Sequence, residues 1–111
     1  PDVSFFSWDQ FPGRKLPRGS ILERIPDLAV EILSRSNTKK EMARKRRECF
    51  LGGCRLVWEI DPERRAVRVY TAPDESKLVR EKGTLDGGDV LPGFKLRLAR
   101  LFARAGTRAA E

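Results

Sequence analysis

The sequence has no histidine and only two cysteines in its 111 residues. Without an imidazole, the chain cannot use Ser-His-Asp, Cys-His or HExxH chemistry. Cys49 and Cys54 do not form a CxxC pair, so a zinc site is not expected either. Any catalysis by this chain must therefore use carboxylates, lysine, arginine, tyrosine or a hard metal ion.

Long apolar runs are also missing from the sequence. The longest runs have about the length of a strand, far short of the roughly 20 residues that a membrane span requires. No basic and apolar leader precedes Pro1, and the absence of an initial methionine predicts that upstream sequence is missing. We expect no membrane partner and a cytoplasmic location. In that reducing compartment Cys49 and Cys54 are expected as buried or half-buried free thiols, with a redox or disulfide role as the alternative.

Composition and charge point to one folded domain with a basic surface. The length allows a single modest core, and 35% charged with 40% hydrophobic residues is typical of a globular chain. A net charge of +7 favours a polyanionic partner, although a solvated basic surface is the alternative. Much of the excess lies on one predicted helix. The candidate DNA contacts there are Lys39, Lys40, Arg44 and Arg47.

Apolar periodicity and turn signals predict strands and two helices within one domain over residues 1–105, the strand and helix content of an α/β fold that the family resemblance given below implies, and a frayed tail over 106–111. Thr38 and Glu41 form a capping box and Gly52-Gly53 supplies a stop, which predicts a helix over residues 39–51. A short second helix ends near residue 105, and residues 20–25 receive no assignment. The predicted strands cover residues 3–7, 28–33, 55–60 and 66–70, with an edge strand at 77–79.

Two acids stand inside or beside apolar strands. Asp27 and Glu31 lie in the run Pro26 to Ser34, and strand alternation places them on one face with Ala29. A carboxylate in a buried strand is costly unless it is hydrogen-bonded, paired or bound to a metal. Asp2 stands at the start of another apolar run. Two acid-bearing strands joined by a turn-rich segment form a pattern that metal-dependent phosphodiester chemistry can use.

Helical periodicity on residues 39–51 gives one apolar face, with Arg46 at its middle and Lys45 at its edge. This pattern alone names Arg46 as the cation that reaches inward. A snorkelling side chain is the alternative for both. The apolar members of the face are Met42, Ala43, Cys49 and Phe50.

The motifs run through nearly the whole chain in one order. They are Pro1-Asp2-Val3-Ser4-Phe5; Pro26-Asp27-Leu28-Ala29-Val30-Glu31-Ile32-Leu33-Ser34-x-Ser36-Asn37; Lys45-x-x-Glu48; Gly53-x-Arg55-Leu56-Val57-Trp58-x-Ile60-Asp61-Pro62; and Leu85-x-Gly87-Gly88-Asp89-Val90-Leu91-Pro92-Gly93-Phe94. Together they resemble the Uma2 family, a bacterial group abundant in cyanobacteria and assigned to the PD-(D/E)XK restriction-endonuclease-like superfamily.

The resemblance implies a restriction-endonuclease-like central mixed β-sheet with flanking helices, lacking the N-terminal part of the fold. Asp2 then stands for the Pro-Asp acid and Glu31 for the acid of (D/E)XK. Leu33 occupies the usual lysine position, and Lys45 matches a helical lysine thought to replace it. Asp2 and Glu31 would hold Mg²⁺ or Mn²⁺, with Asp27 and Ser34 as candidates for supporting positions behind them.

Each of these roles has a structural alternative. Glu31 could be a paired structural acid, Asp2 a cap of the strand start and Lys45 a solvated helix lysine. For Asp27, which follows Pro26, a turn or strand-edge role is the stronger interpretation. The chain also departs from the family pattern by carrying Cys49 where an aromatic is usual and Arg35 where proline is usual.

The function that the resemblance implies is a Mg²⁺-dependent endonuclease that hydrolyses DNA phosphodiester bonds. Family members normally carry an N-terminal helix and strand, and this chain begins after that region. The alternative is therefore a catalytically inactive, truncated domain that acts as a basic nucleic-acid-binding or self-association module. The expected partner is DNA, and a homodimer is allowed.

Overall fold

The computed structural model describes residues 1–16 and 24–104. The predicted tail, the end of the last helix near residue 105 and most of the unassigned segment 20–25 lie outside these ranges. Two short 3₁₀ helices, Trp8–Gln10 and Pro12–Arg14, follow the first strand. The other elements are β1 (Val3–Phe5), β2 (Leu28–Ile32), α1 (Lys39–Leu51), β3 (Leu56–Asp61), β4 (Ala66–Ala72), β5 (Glu75–Arg80), β6 (Thr84–Asp86), β7 (Lys95–Arg97) and α2 (Leu98–Arg104).

The main sheet is mixed and has five strands in the order β1-β2-β3-β4-β5. Strands β2 and β3 are parallel and α1 connects them, as parallel neighbours require a crossover. All other neighbours in this sheet are antiparallel, including the predicted hairpin of β3 and β4. Strands β6 and β7 form a separate two-stranded sheet. The architecture confirms the predicted α/β fold class.

Apolar residues cover both faces of the main sheet. On one face Leu28 and Val30 of β2 belong to a cluster that includes Leu98 and Phe102 of α2. On the other face a smaller cluster has partly buried α1 side chains packed against it; its buried members are Ala29, Cys54, Val57 and Tyr70. The predicted alternation along β2 is confirmed, since Leu28 and Val30 face one way and Ala29 the other.

Helix α1 has the predicted bounds because both of its ends are set by local signals. The Thr38 side chain accepts a hydrogen bond from the Glu41 amide at 3.1 Å. At the other end the Gly53 amide donates to the Phe50 carbonyl and the Cys54 amide to the Cys49 carbonyl. This is a Schellman motif, and Gly53 adopts the positive φ of 110° that it requires.

Several strand bounds differ from the prediction. Strand β1 ends at Phe5 rather than at Ser7, because the Ser7 amide donates to the Asp27 carboxylate and the Ser7 side chain caps the next 3₁₀ helix. Strand β5 is longer than the predicted edge strand, and neither β6 nor β7 was predicted. Within the described ranges, no helix is long and apolar enough to cross a membrane.

Candidate active site

Glu31 lies near the end of β2, and its side chain is only 14% exposed. The Lys45 Nζ atom of α1 is 3.8 Å from Glu31 Oε1. The Pro1 nitrogen is 3.9 Å from the other carboxylate oxygen, Oε2. The beginning of the first strand and the middle of α1 therefore both approach this one carboxylate.

Asp2 is anchored to β2 on both sides of Glu31. The Asp2 amide donates a hydrogen bond of 2.9 Å to the Val30 carbonyl. Its carboxylate Oδ2 accepts a hydrogen bond of 2.7 Å from the Ile32 amide. Asp2 and Glu31 are thus brought to the same place on the sheet, although one Asp2 oxygen already serves to hold β1 against β2.

Arg46, the next residue on α1, reaches a different acid. Its Nη1 atom is 2.7 Å from Glu59 Oε2, and both side chains are largely buried. Its guanidinium also stacks over the Tyr70 ring at 4.2 Å. Burial, aided by the Glu59 charge, raises the pKa of Tyr70.

Glu59 is the site residue that the sequence did not indicate. In the parallel pairing of β2 and β3, Glu59 stands directly beside Glu31. The two neighbouring acids are matched by two consecutive cations of α1, Lys45 for Glu31 and Arg46 for Glu59. Periodicity correctly indicated that Arg46 reaches inward, but its partner is Glu59. The available signal was an acid in the otherwise apolar strand Leu56 to Ile60.

The family model described as "Uma2: Putative restriction endonuclease" matches residues 1–99. The chain belongs to the Uma2 family. No curated protein matches the sequence.

Solved structures give a similar result. One is described as "a putative nuclease belonging to DUF820" from Anabaena variabilis ATCC 29413, and it matches with a TM-score of 0.75 and 25% sequence identity. The match covers 93% of this chain and 59% of that chain. This Uma2 chain thus spans less than two thirds of the length of its structural relative.

In the Uma2 chain the side chains of Asp27 and Ser34 make hydrogen bonds to residues other than Glu31. Asp27 accepts hydrogen bonds of 2.7 Å from the Ser7 amide and from Gln10 Nε2, about 13 Å along the strand from Glu31. This arrangement agrees with a strand-edge role. The Ser34 hydroxyl contacts Ser36 Oγ at 2.9 Å inside the loop before α1. Both residues hold local structure in the conformation described.

The four candidate DNA contacts are all exposed, but they do not share one face of α1. Helical spacing places Lys40, Arg44 and Arg47 together on the side away from the sheet. Lys39 lies on the other side, where it borders an open groove with Arg46 and Arg68. Arg44 also pairs with Glu48 one turn later, at 3.2 Å. The outward patch therefore has three members.

The acids of the site would supply only some of the ligands that a hard cation needs. Among residues 1–16 and 24–104, no group of three or more histidine, cysteine, aspartate or glutamate side chains could hold a metal ion. Asp2 and Glu31 would supply two carboxylates. Mg²⁺ accepts such sites because it prefers oxygen ligands and keeps several waters, which a phosphate can replace.

Proposed function

We propose that this Uma2 chain carries the site of a metal-dependent endonuclease that hydrolyses DNA phosphodiester bonds. The observation that supports this proposal best is the approach of Lys45 Nζ to within 3.8 Å of Glu31 Oε1. A carboxylate and an ammonium beside a strand start that carries Asp2 are the groups that such chemistry needs. Family membership and the nuclease-like structural relative favour the same reaction.

Asp2 and Glu31 are the residues that would hold Mg²⁺ or Mn²⁺. Such an ion supplies Lewis-acid polarisation of a phosphoryl oxygen and a lower pKa for a bound water. Asp2 uses Oδ2 to accept from Ile32, which orients the carboxylate and leaves Oδ1 as its second acceptor atom. Glu31 lies on β2 with Lys45 Nζ of α1 at 3.8 Å, so the sheet and the helix together position its carboxylate.

Lys45 would place its ammonium next to the scissile phosphate. Its side chain is 47% exposed, so a polyanion can approach it from solvent. An ammonium fixed at that place stabilises the negative charge that develops on the phosphate in the transition state. Arg46 would position Lys45, because the ion pair of Arg46 with Glu59 holds the turn of α1 that carries Lys45.

Metal binding can be tested at Asp2 without disturbing the strand. In Asp2→Asn the amide oxygen can still accept from the Ile32 amide, whereas the charge that attracts a cation is lost. We expect at least tenfold weaker Mn²⁺ binding by calorimetry with an unchanged melting temperature. Asp2→Ala is the matched control, since it should lose the strand contact as well. Wild-type affinity in Asp2→Asn would show that Asp2 only caps β1.

Binding of DNA by the four candidate basic residues of α1 can be tested separately from cleavage. Replacing Lys39, Lys40, Arg44 and Arg47 by glutamine should weaken binding and lower the slope of log K against log salt by roughly one per lost phosphate contact. We expect most of the change in slope to come from Lys40, Arg44 and Arg47, because Lys39 lies on the other side of α1. Fluorescence anisotropy at several salt concentrations measures the slope.

The control for this experiment removes the same charge elsewhere. Two lysines and two arginines near α2 are exposed, and their replacement by glutamine changes the net charge equally. If both quadruple variants lose the same slope, the binding is a general effect of charge and the α1 patch has no special role. The control residues are Lys82, Lys95, Arg97 and Arg100.

The second candidate function is the non-catalytic basic module, which the exposed patch on α1 favours. It predicts the same salt dependence but no cleavage. Metal-dependent nicking therefore separates the two candidates, whereas binding alone does not.

A further inference from the structure

The two cysteines are brought together by the end of α1. Cys49 is the third residue from the helix end and Cys54 is the second residue after the cap, Gly52. In a Schellman motif these two positions share a main-chain hydrogen bond and their side chains commonly touch. Here the Cys54 amide donates to the Cys49 carbonyl at 3.0 Å.

That contact brings the two residues close enough together for a disulfide to be considered. A disulfide joins Cα atoms that are about 4.4–6.8 Å apart. The direct main-chain hydrogen bond between Cys49 and Cys54 keeps their Cα atoms near that range. Both residues also belong to the cluster under α1, and both are free thiols.

The two thiols differ in their environments. Cys54 is buried and Cys49 is half-buried. The hydrogen bond from the Cys49 thiol lowers the pKa of Cys54 to about 7 and raises the pKa of Cys49. The lowered pKa favours the thiolate of Cys54, which is the form that reacts with oxidants.

We propose that Cys49 and Cys54 are a redox-sensitive pair that closes to an intramolecular disulfide when the protein meets a peroxide. The Cys54 sulfur attacks one peroxide oxygen, the O–O bond breaks, and Cys54 becomes a sulfenic acid while the second oxygen leaves as water. The Cys49 sulfur then attacks the Cys54 sulfur. The S–S bond forms, the S–O bond breaks, and a second water is released.

The reaction balances as two thiols and one hydrogen peroxide giving one disulfide and two waters. Cys49 is the resolving thiol because it is already next to the sulfur that is oxidised first. The disulfide would form on the same helix as Lys45, which precedes Cys49 by one turn. Formation of this disulfide requires only the two thiols and a peroxide and does not depend on endonuclease activity.

Peptide mass spectrometry tests the proposal directly. Trypsin cleaves after Arg47 and Arg55, so peptide 48–55 contains both cysteines. After hydrogen peroxide treatment and alkylation of the remaining thiols, we expect this peptide to have lost two hydrogens and to carry no alkyl group. Dithiothreitol should restore alkylation of both cysteines. Cys49→Ser and Cys54→Ser, treated in the same way, should show no such loss.

Three results would overturn the proposal. Both cysteines could remain fully alkylated after peroxide treatment, which would make them packing residues only. Peptide 48–55 could appear only as cross-linked pairs, which would assign the reaction to contacts between molecules. It could also gain oxygens at one cysteine while the other stays reduced, which would show that Cys49 does not resolve the sulfenic acid.

Discussion

Replacing Lys45 with methionine is expected to lower the rate of Mg²⁺-dependent plasmid nicking by the full-length protein about 100- to 1000-fold, the usual cost of one transition-state charge donor. Methionine keeps an apolar stem but removes the ammonium that lies 3.8 Å from Glu31. Because the Lys45 side chain is 47% exposed, the free energy of unfolding should change by less than about 0.5 kcal/mol.

Lys40→Met is the matched control for this prediction. It removes the same group from the same helix, on the side away from the sheet. We expect it to change only the salt dependence of binding. If Lys45→Met nicks at the wild-type rate, Lys45 is a solvated helix lysine and the transfer of the family's lysine to this position is wrong.

Breaking the buried ion pair of Arg46 and Glu59 should have the largest effect on stability. Arg46→Ala leaves the Glu59 carboxylate, whose side chain is 7% exposed, without its cation. Removing one partner of a buried pair costs about 3–5 kcal/mol, since the remaining charge stays desolvated. The same loss is expected for Glu59→Ala. Denaturant unfolding of each single variant measures it.

The double variant Arg46→Met with Glu59→Leu separates pairing from packing. If the single variants are unstable because a charge is left unpaired, replacing both partners by apolar side chains should recover most of the lost free energy. A double variant as unstable as the sum of the single variants Arg46→Met and Glu59→Leu would contradict this explanation. The loss would then come from packing of the Arg46 stem and its stacking on Tyr70.

Local signals predicted those parts of the fold that depend on local structure. The bounds of α1 follow from the Thr38 cap and the Gly53 stop, which act within a few residues of the helix ends. The hairpin of β3 and β4 has a short connection and was predicted for the same reason. Strands β6 and β7 were both missed, because each has only three residues and residues 87–94 separate them.

The parts of the site that were not predicted from the sequence depend on contacts between residues far apart along the chain. Glu59 stands beside Glu31 only because β2 and β3 are parallel and in one register. Asp27 is satisfied by Ser7 and Gln10, from the segment before the gap in the described residues. Neither arrangement has a periodic or spacing signal along the chain.

The choice between Lys45 and Arg46 shows how the two kinds of sequence evidence differ. Periodicity measures burial, and it correctly selected Arg46 as the more buried cation. The family resemblance selected Lys45 for the acid of (D/E)XK, and the structure places Lys45 next to Glu31. The two cations have different acids, so the prediction from periodicity is confirmed, and the role of Lys45 stays a prediction that its contact with Glu31 supports.

Conversion of supercoiled plasmid to open circles by the full-length protein and by Glu31→Gln tests the endonuclease proposal most directly. Glutamine keeps the size of the side chain but removes its negative charge. In the proposal that charge binds the cation and attracts Lys45. The proposal predicts nicking by the wild type with Mg²⁺, none with EDTA, and a loss of about 100-fold or more in Glu31→Gln at unchanged stability. Equal nicking by Glu31→Gln and wild type, or no metal-dependent nicking by either, would contradict it.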